Sequence, residues 1–157
     1  MERPSKDQLL TTWAYAGEFI AAALLSMALF LLIGPPVVSG WVFARKQDLM
    51  VLTITAAGVS GVIFAAFFAV LSSEFGKKLR LKNVATLYAT AFAFPLLVFL
   101  GASASMGAVS KGTDTILLKI ATFMLVYSLL NCYTMVKNVI GLVKLWQNVD
   151  RARQFGK

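Results

Sequence analysis

Glu18 is the one carboxylate inside a long apolar run of this chain, in the stretch WAYAGEFIAAALL. An acid in hydrocarbon costs several kcal/mol, on the order of 3 by insertion scales, so it marks a candidate ion or proton site by default. At its shallow depth it can equally snorkel to water or pair with a lysine on its own side of the membrane. At helical spacing it shares a face with Ala14, Ala22 and Ser26.

A second group with chemical potential lies near the C-terminus. Tyr127, Asn131, Thr134 and Asn138 recur at helical spacing, with Ser128 beside them. Such a stripe must face protein or water, because lipid would leave its polar atoms unpaired. Hydrogen bonding between helices is one use, and a conduction or substrate path is the other. Glu18, Tyr127, Ser128, Asn131 and Thr134 are thus the candidate intramembrane polar site.

The third group is basic. The segment EFGKKLRLKN places Lys77, Lys78, Arg80 and Lys82 within six positions, and Lys144, Trp146, Arg151 and Arg153 follow in the tail. These eight residues are candidates for docking a protein partner or anionic lipid, since each basic group near an anionic surface is worth about 1 kcal/mol.

Other chemistry is missing from the sequence. There is no histidine, a single cysteine (Cys132), no phosphate-binding Gly-Lys-Ser/Thr loop, no Cys-x-x-Cys pair and no nucleophile elbow. No catalytic residue, metal ligand set or cofactor is expected, and the chain reads as a non-enzyme. The net charge of +8 does not point to nucleic acid either, because the basic residues sit in short clusters between apolar runs.

The elements that must carry these groups follow from composition. Of 157 residues, 59% are hydrophobic, well above soluble usage, and the mean hydropathy is +0.76. A helix crossing a hydrocarbon core of about 30 Å needs about 20 residues. Four runs qualify, at about 13–33, 49–71, 84–101 and 116–136. Gly34-Pro35-Pro36 closes the first, and Thr113-Asp114-Thr115 signals the start of the fourth. No cleavage site follows the first run, so it is expected to be retained. Backbone groups cannot go unpaired in lipid, so the fold class is all-α: a polytopic four-helix transmembrane bundle in one integral membrane domain, 1–157.

Beyond Lys137, Val139, Leu142, Val143, Trp146 and Val149 form an apolar stripe, with Lys137, Lys144, Gln147 and Arg151 largely opposite. An amphipathic C-terminal cytoplasmic extension, 137–157, is expected to lie on the membrane surface or present its stripe to a partner. The segments VVSGWVF and GASASMGAVSKG read as short external loops. Two rows of small residues suggest close helix packing: Thr53, Ala57, Gly61, Ala65 and Ala69 in the second span, and Ala85, Ala89 and Ala93 in the third. Pro95 predicts a kink in the third span.

Together these features describe a non-enzymatic subunit of a bacterial-type inner membrane that anchors, senses or scaffolds, such as a defence, immunity, secretion or conjugation accessory. Its expected partners are anionic lipid, a cytoplasmic protein and further copies of itself. The alternative is a small self-associating channel, pore or ion-coupled carrier.

Orientation follows from charge. With both termini cytoplasmic, that side holds Arg3, Lys6, Lys77, Lys78, Arg80, Lys82, Lys137, Lys144, Arg151, Arg153 and Lys157; the other holds only Arg45, Lys46, Lys111 and Lys119. Eleven against four is a marked positive-inside bias. A reporter fused after Lys157 should therefore read cytoplasmic, and one inserted near Ser110 external; the opposite pattern would invert the layout.

Overall fold

The computed structural model describes the backbone of residues 6–81, 84–110 and 115–155, and the side chains of those stretches between positions 15 and 151. Lys82 and the side chain of Arg153 lie outside the described residues. The described chain is all-α, with six helices: α1 (Lys6–Leu32), α2 (Pro35–Ala44), α3 (Lys46–Leu71), α4 (Glu74–Leu81), α5 (Val84–Ala108) and α6 (Thr115–Phe155). Helices α1, α3, α5 and α6 are long and apolar enough to cross a membrane, and the protein is an integral membrane protein.

The four long helices form a row rather than a closed square. α3 packs on α5, α5 on α6, and α6 on α1, while α1 and α3 share no substantial contact among the described residues. Central α5 buries Ala91, Phe92, Pro95, Val98, Phe99, Ala102 and Met106. The edge helices α1 and α3 keep most of their apolar side chains exposed, including Leu24, Met27 and Leu31 of one and Val51, Ile54 and Val62 of the other.

Two short helices close the ends. The segment expected as an external loop after the first span is α2, started by Gly34 at φ 90° and by Pro35 and Pro36 in its first turn. Proline lacks the N–H that the first turn leaves unpaired, and its fixed φ suits that position. Val38 and Val42 of α2 join Phe30, Leu49, Met106, Val109, Leu118 and Leu125 in a core cluster at this end. The second expected loop also shrinks. Residues 101–108 extend α5, because Ala102, Ser103 and Met106 are buried against neighbouring helices. Lys46 then ties the ends together, its Nζ donating to the carbonyls of Gly107 (2.9 Å) and Val109. A cation at a helix C-terminus satisfies carbonyls that lack intrahelical donors.

At the other, basic end, EFGKKLRL is helical. The Ser73 hydroxyl accepts from the Gly76 N–H at 3.2 Å, as an N-cap does. Phe75, Gly76 and Leu79 are buried, whereas Lys77, Lys78 and Arg80 are exposed. The buried face packs on α3 and α5: Phe75 and Leu79 share a cluster with Phe67, Ala85 and Phe92, and Val139, Leu142, Leu145 and Val149 of α6 pack against that cluster.

That docking changes the expectation for the tail. α6 runs unbroken for 41 residues, about 60 Å at 1.5 Å per residue, roughly twice the hydrocarbon thickness. Most of its apolar stripe is covered by the chain's own α4 and the adjoining ends of α3 and α5, not by lipid or a partner. Val143 and Trp146 remain exposed.

The small-residue rows hold only in part. Thr53 and Ala57 are buried and Gly61 half-buried, but Ala65 and Ala69 are exposed. The cause is geometric: at about 100° per residue, each step of four residues drifts about 40° round the helix, so the row turns off a straight neighbour. Ser60 and Phe67 take over the buried face of α3. In α5, Ala85 is buried and Ala89 and Ala93 are half-buried, while the contact row is carried by larger residues. Pro95 is buried within an α5 that continues through it.

The turn between α3 and α4 depends on one glycine. A methyl at Gly76 would sit 2.3 Å from the Leu71 carbonyl oxygen and 2.4 Å from the Leu71 Cα. Gly76→Ala should therefore destabilise the protein by about 1–3 kcal/mol in denaturant titrations in detergent. Gly58→Ala, which meets nothing within 4 Å, should stay within about 0.5 kcal/mol of the parent.

Candidate functional site

Helix α1 meets α6 through a polar junction near the basic end. The α1 face expected from spacing is the face that packs: Ala22 is 0% exposed and Ser26 is buried. Glu18 lies on this face, and its Oε1 accepts a hydrogen bond from the Thr134 hydroxyl of α6. Lys137 stands one turn further along α6. Among the described residues no cation forms an ion pair with Glu18.

Asn131 stands one turn before Thr134 and is fully buried. Its Nδ2 donates to the Tyr127 carbonyl at 3.0 Å. The Tyr127 hydroxyl is close enough to interact with the Asn131 side chain, yet no hydrogen bond of ordinary geometry reaches Asn131 Oδ1. Glu18 Oε2 and Ser26 Oγ likewise have no partner among the described residues. Ser128 turns back on its own helix, donating to the Leu125 carbonyl at 2.7 Å. Of the predicted site, Glu18 and Thr134 are joined by a hydrogen bond, Asn131 bonds its own helix one turn before Thr134, Tyr127 is buried among aromatic rings and Ser128 serves its own helix.

The aromatic setting orders α1 against α5 and α6. Tyr127 makes edge contacts with Phe19 at 5.7 Å and Phe94 at 6.2 Å between ring centroids, and stacks on Phe123 at 5.7 Å. Tyr15 packs on Phe94 at 4.6 Å. Its hydroxyl donates to the Ala91 carbonyl of α5 at 3.3 Å and interacts with the side chain of Asn138.

The contact between Tyr15 and Ala91 has a definite origin. Ala91 lies four residues before Pro95, and proline has no N–H to return to that carbonyl. A hydroxyl from a different helix supplies the donor. Tyr15 is a positioning residue that the sequence reading passed over, although Pro95 marked the carbonyl needing a partner. Ser60, also passed over, approaches the Phe92 carbonyl at 3.5 Å from the α3 side.

The basic candidates form a separate surface. Lys77 is exposed and pairs with Glu74. Lys78, Arg80, Lys144, Trp146 and Arg151 are exposed. A common core cluster backs the helices that carry these basic positions, α4 and α6. Among the described residues no group of three or more His, Cys, Asp or Glu side chains gathers as a metal site would require.

Comparison with protein-family models, with curated proteins and with solved structures finds no match.

The Tyr15 contact yields a conditional prediction. Tyr15→Phe should cost about 1 kcal/mol of unfolding free energy, the ordinary net worth of a hydrogen bond. In a Pro95→Ala background the new backbone N–H at position 95 serves the Ala91 carbonyl, and the same substitution should cost almost nothing. Equal penalties in both backgrounds, measured by denaturant unfolding in detergent, would show that the Tyr15 hydroxyl does not serve that carbonyl.

Proposed function

We propose that this protein is a non-enzymatic subunit of a bacterial-type inner membrane, with both termini cytoplasmic, that anchors, senses or scaffolds within a larger assembly. One observation carries the reading. α4 is held by Phe75 and Leu79 in a core cluster with α3 and α5, against which the extension of α6 also packs, while Lys78, Arg80, Lys144 and Arg151 remain exposed. A short charged loop would suffice to orient the chain during insertion. A capped helix packed on a second helix instead holds its charges at fixed spacing, which suits recognition of an acidic protein surface.

The open row of helices supports self-association. α1 and α3 do not pack on each other to close the bundle, and in lipid close packing rather than a hydrophobic force decides whether such open faces pair. A homo-oligomer joined through these edges is the arrangement proposed here.

A second reading is favoured by the Glu18 junction. A carboxylate bonded to Thr134 through one oxygen, with its other oxygen, Oε2, unpartnered among the described residues, has the acceptor type of an ion- or proton-coupled carrier.

One affinity-purified preparation tests both readings. A scaffold should co-purify a fixed partner from its native membrane, should lose it when Lys78, Arg80, Lys144 and Arg151 are changed together to Gln, and should pass no ions or protons in liposomes. Flux that vanishes in Glu18→Gln would establish the carrier instead.

A further inference from the structure

Where α3 ends and α4 begins, a groove of about 480 Å³ opens against α6. Ala69 and Val70 of α3, Phe75 of α4, and Leu142, Val143 and Trp146 of α6 line it, and the lining is almost wholly apolar. Its volume falls in the range of small-ligand sites, roughly 300–1,000 Å³. Its floor is the last turn of a membrane-spanning helix, and Val143 and Trp146 border it with exposed faces.

A small polar recess of about 20 Å³ adjoins the groove and shares Phe75 and Trp146 with it. Lys78 and Asp150 line this recess together with Val149. The two charged groups do not form an ion pair with each other. An apolar slot leading to one cation and one anion, held apart beside an indole, has a specific chemical complement. That complement is an amphiphile with an apolar chain and a head bearing both charges.

The basic residues of the platform do not dominate this recess. Lys144 and Arg151 project about 160° and 140° round α6 from Trp146 at 100° per residue. Among the described residues Lys78 is the platform cation that lines the recess, opposite in charge to Asp150. An anionic headgroup would meet the Asp150 carboxylate there. A phosphate ester linked to a primary ammonium would meet a partner at each end: Lys78 donates to the phosphate, and Asp150 accepts from the ammonium.

We propose that this groove and recess form a binding site for a zwitterionic aminophospholipid of the phosphatidylethanolamine class, its acyl chain lying in the groove and its head between Lys78 and Asp150. The site rests on the membrane-spanning architecture and is independent of the protein partner proposed above.

The test uses the full chain with Trp13→Phe and Trp41→Phe, leaving Trp146 as the sole tryptophan. It is reconstituted into phosphatidylcholine vesicles containing an equal small fraction of phosphatidylethanolamine, phosphatidylcholine or phosphatidylglycerol with brominated acyl chains. Brominated phosphatidylethanolamine should quench Trp146 with about fivefold higher apparent affinity than the other two, the factor expected of one charge contact at a membrane surface. Lys78→Gln and Asp150→Asn should each bring it down toward the phosphatidylcholine value while helical circular dichroism is retained. Lys144→Gln with Arg151→Gln, which removes platform charge, should leave the preference intact.

Equal quenching by all three lipids would reduce the groove to bulk bilayer contact and overturn the proposal. Stronger quenching by phosphatidylglycerol would assign the face to general anionic attraction. A preference that survives both Lys78→Gln and Asp150→Asn would remove the recess as the recogniser, and no quenching by any lipid would mean that the groove is closed to lipid. Each of these results would leave the co-purification test of the scaffold reading standing.

Discussion

A polar group placed in hydrocarbon must find its partner within the protein, because lipid tails offer none. That constraint is met at several named points of this fold, each by a residue from a different helix. Pro95 frees the Ala91 carbonyl of α5, and Tyr15 of α1 donates to it. Glu18 of α1 accepts from Thr134 of α6. At the opposite end, Lys46 of α3 serves the last carbonyls of α5. These contacts fix the rotation of each helix about its own axis, which apolar packing alone specifies only loosely when lipid is as apolar as leucine. The aromatic cluster around Tyr127 and the small side chain of Ala22 then fill the space those contacts define.

The same constraint explains why the basic end is built differently. Once the chain leaves the hydrocarbon, water can satisfy backbone and charge, and burial of apolar area again favours association. There α4 and the end of α6 behave like a piece of a soluble helical protein. A serine cap starts α4, two large apolar side chains anchor it, and charges face outward. Two kinds of packing physics thus meet along α6.

Much of this architecture was legible in the residues. Length and hydropathy identify the four spans, because a membrane imposes a minimum apolar length that few other contexts produce. The α1 face holding Glu18, Ala22 and Ser26 was legible from spacing, whereas the bond between Glu18 and Thr134, 116 residues apart, was not. Other features were legible only in principle. Gly34-Pro35-Pro36 reads equally as a stop and as the start of a helix, and α2 takes the second meaning. Rows of small residues at intervals of four look continuous on paper but rotate out of contact over several turns, as Ala65 and Ala69 do. The cluster that joins α4 to the end of α6 was hidden because the two segments are separated by the whole of α5, and no periodicity within either names the other.

The order of the helices along the row carries a consequence for how the chain is made. α1 is synthesised first, yet its substantial long-helix neighbour is α6, synthesised last. Thr134 follows Glu18 by 116 residues. When α3 and α5 have been made, α1 carries a carboxylate whose hydrogen-bond donor does not yet exist. Completion of the Glu18 junction therefore waits for the last helix, whereas the Tyr15 contact of α1 with α5 needs only helices made earlier.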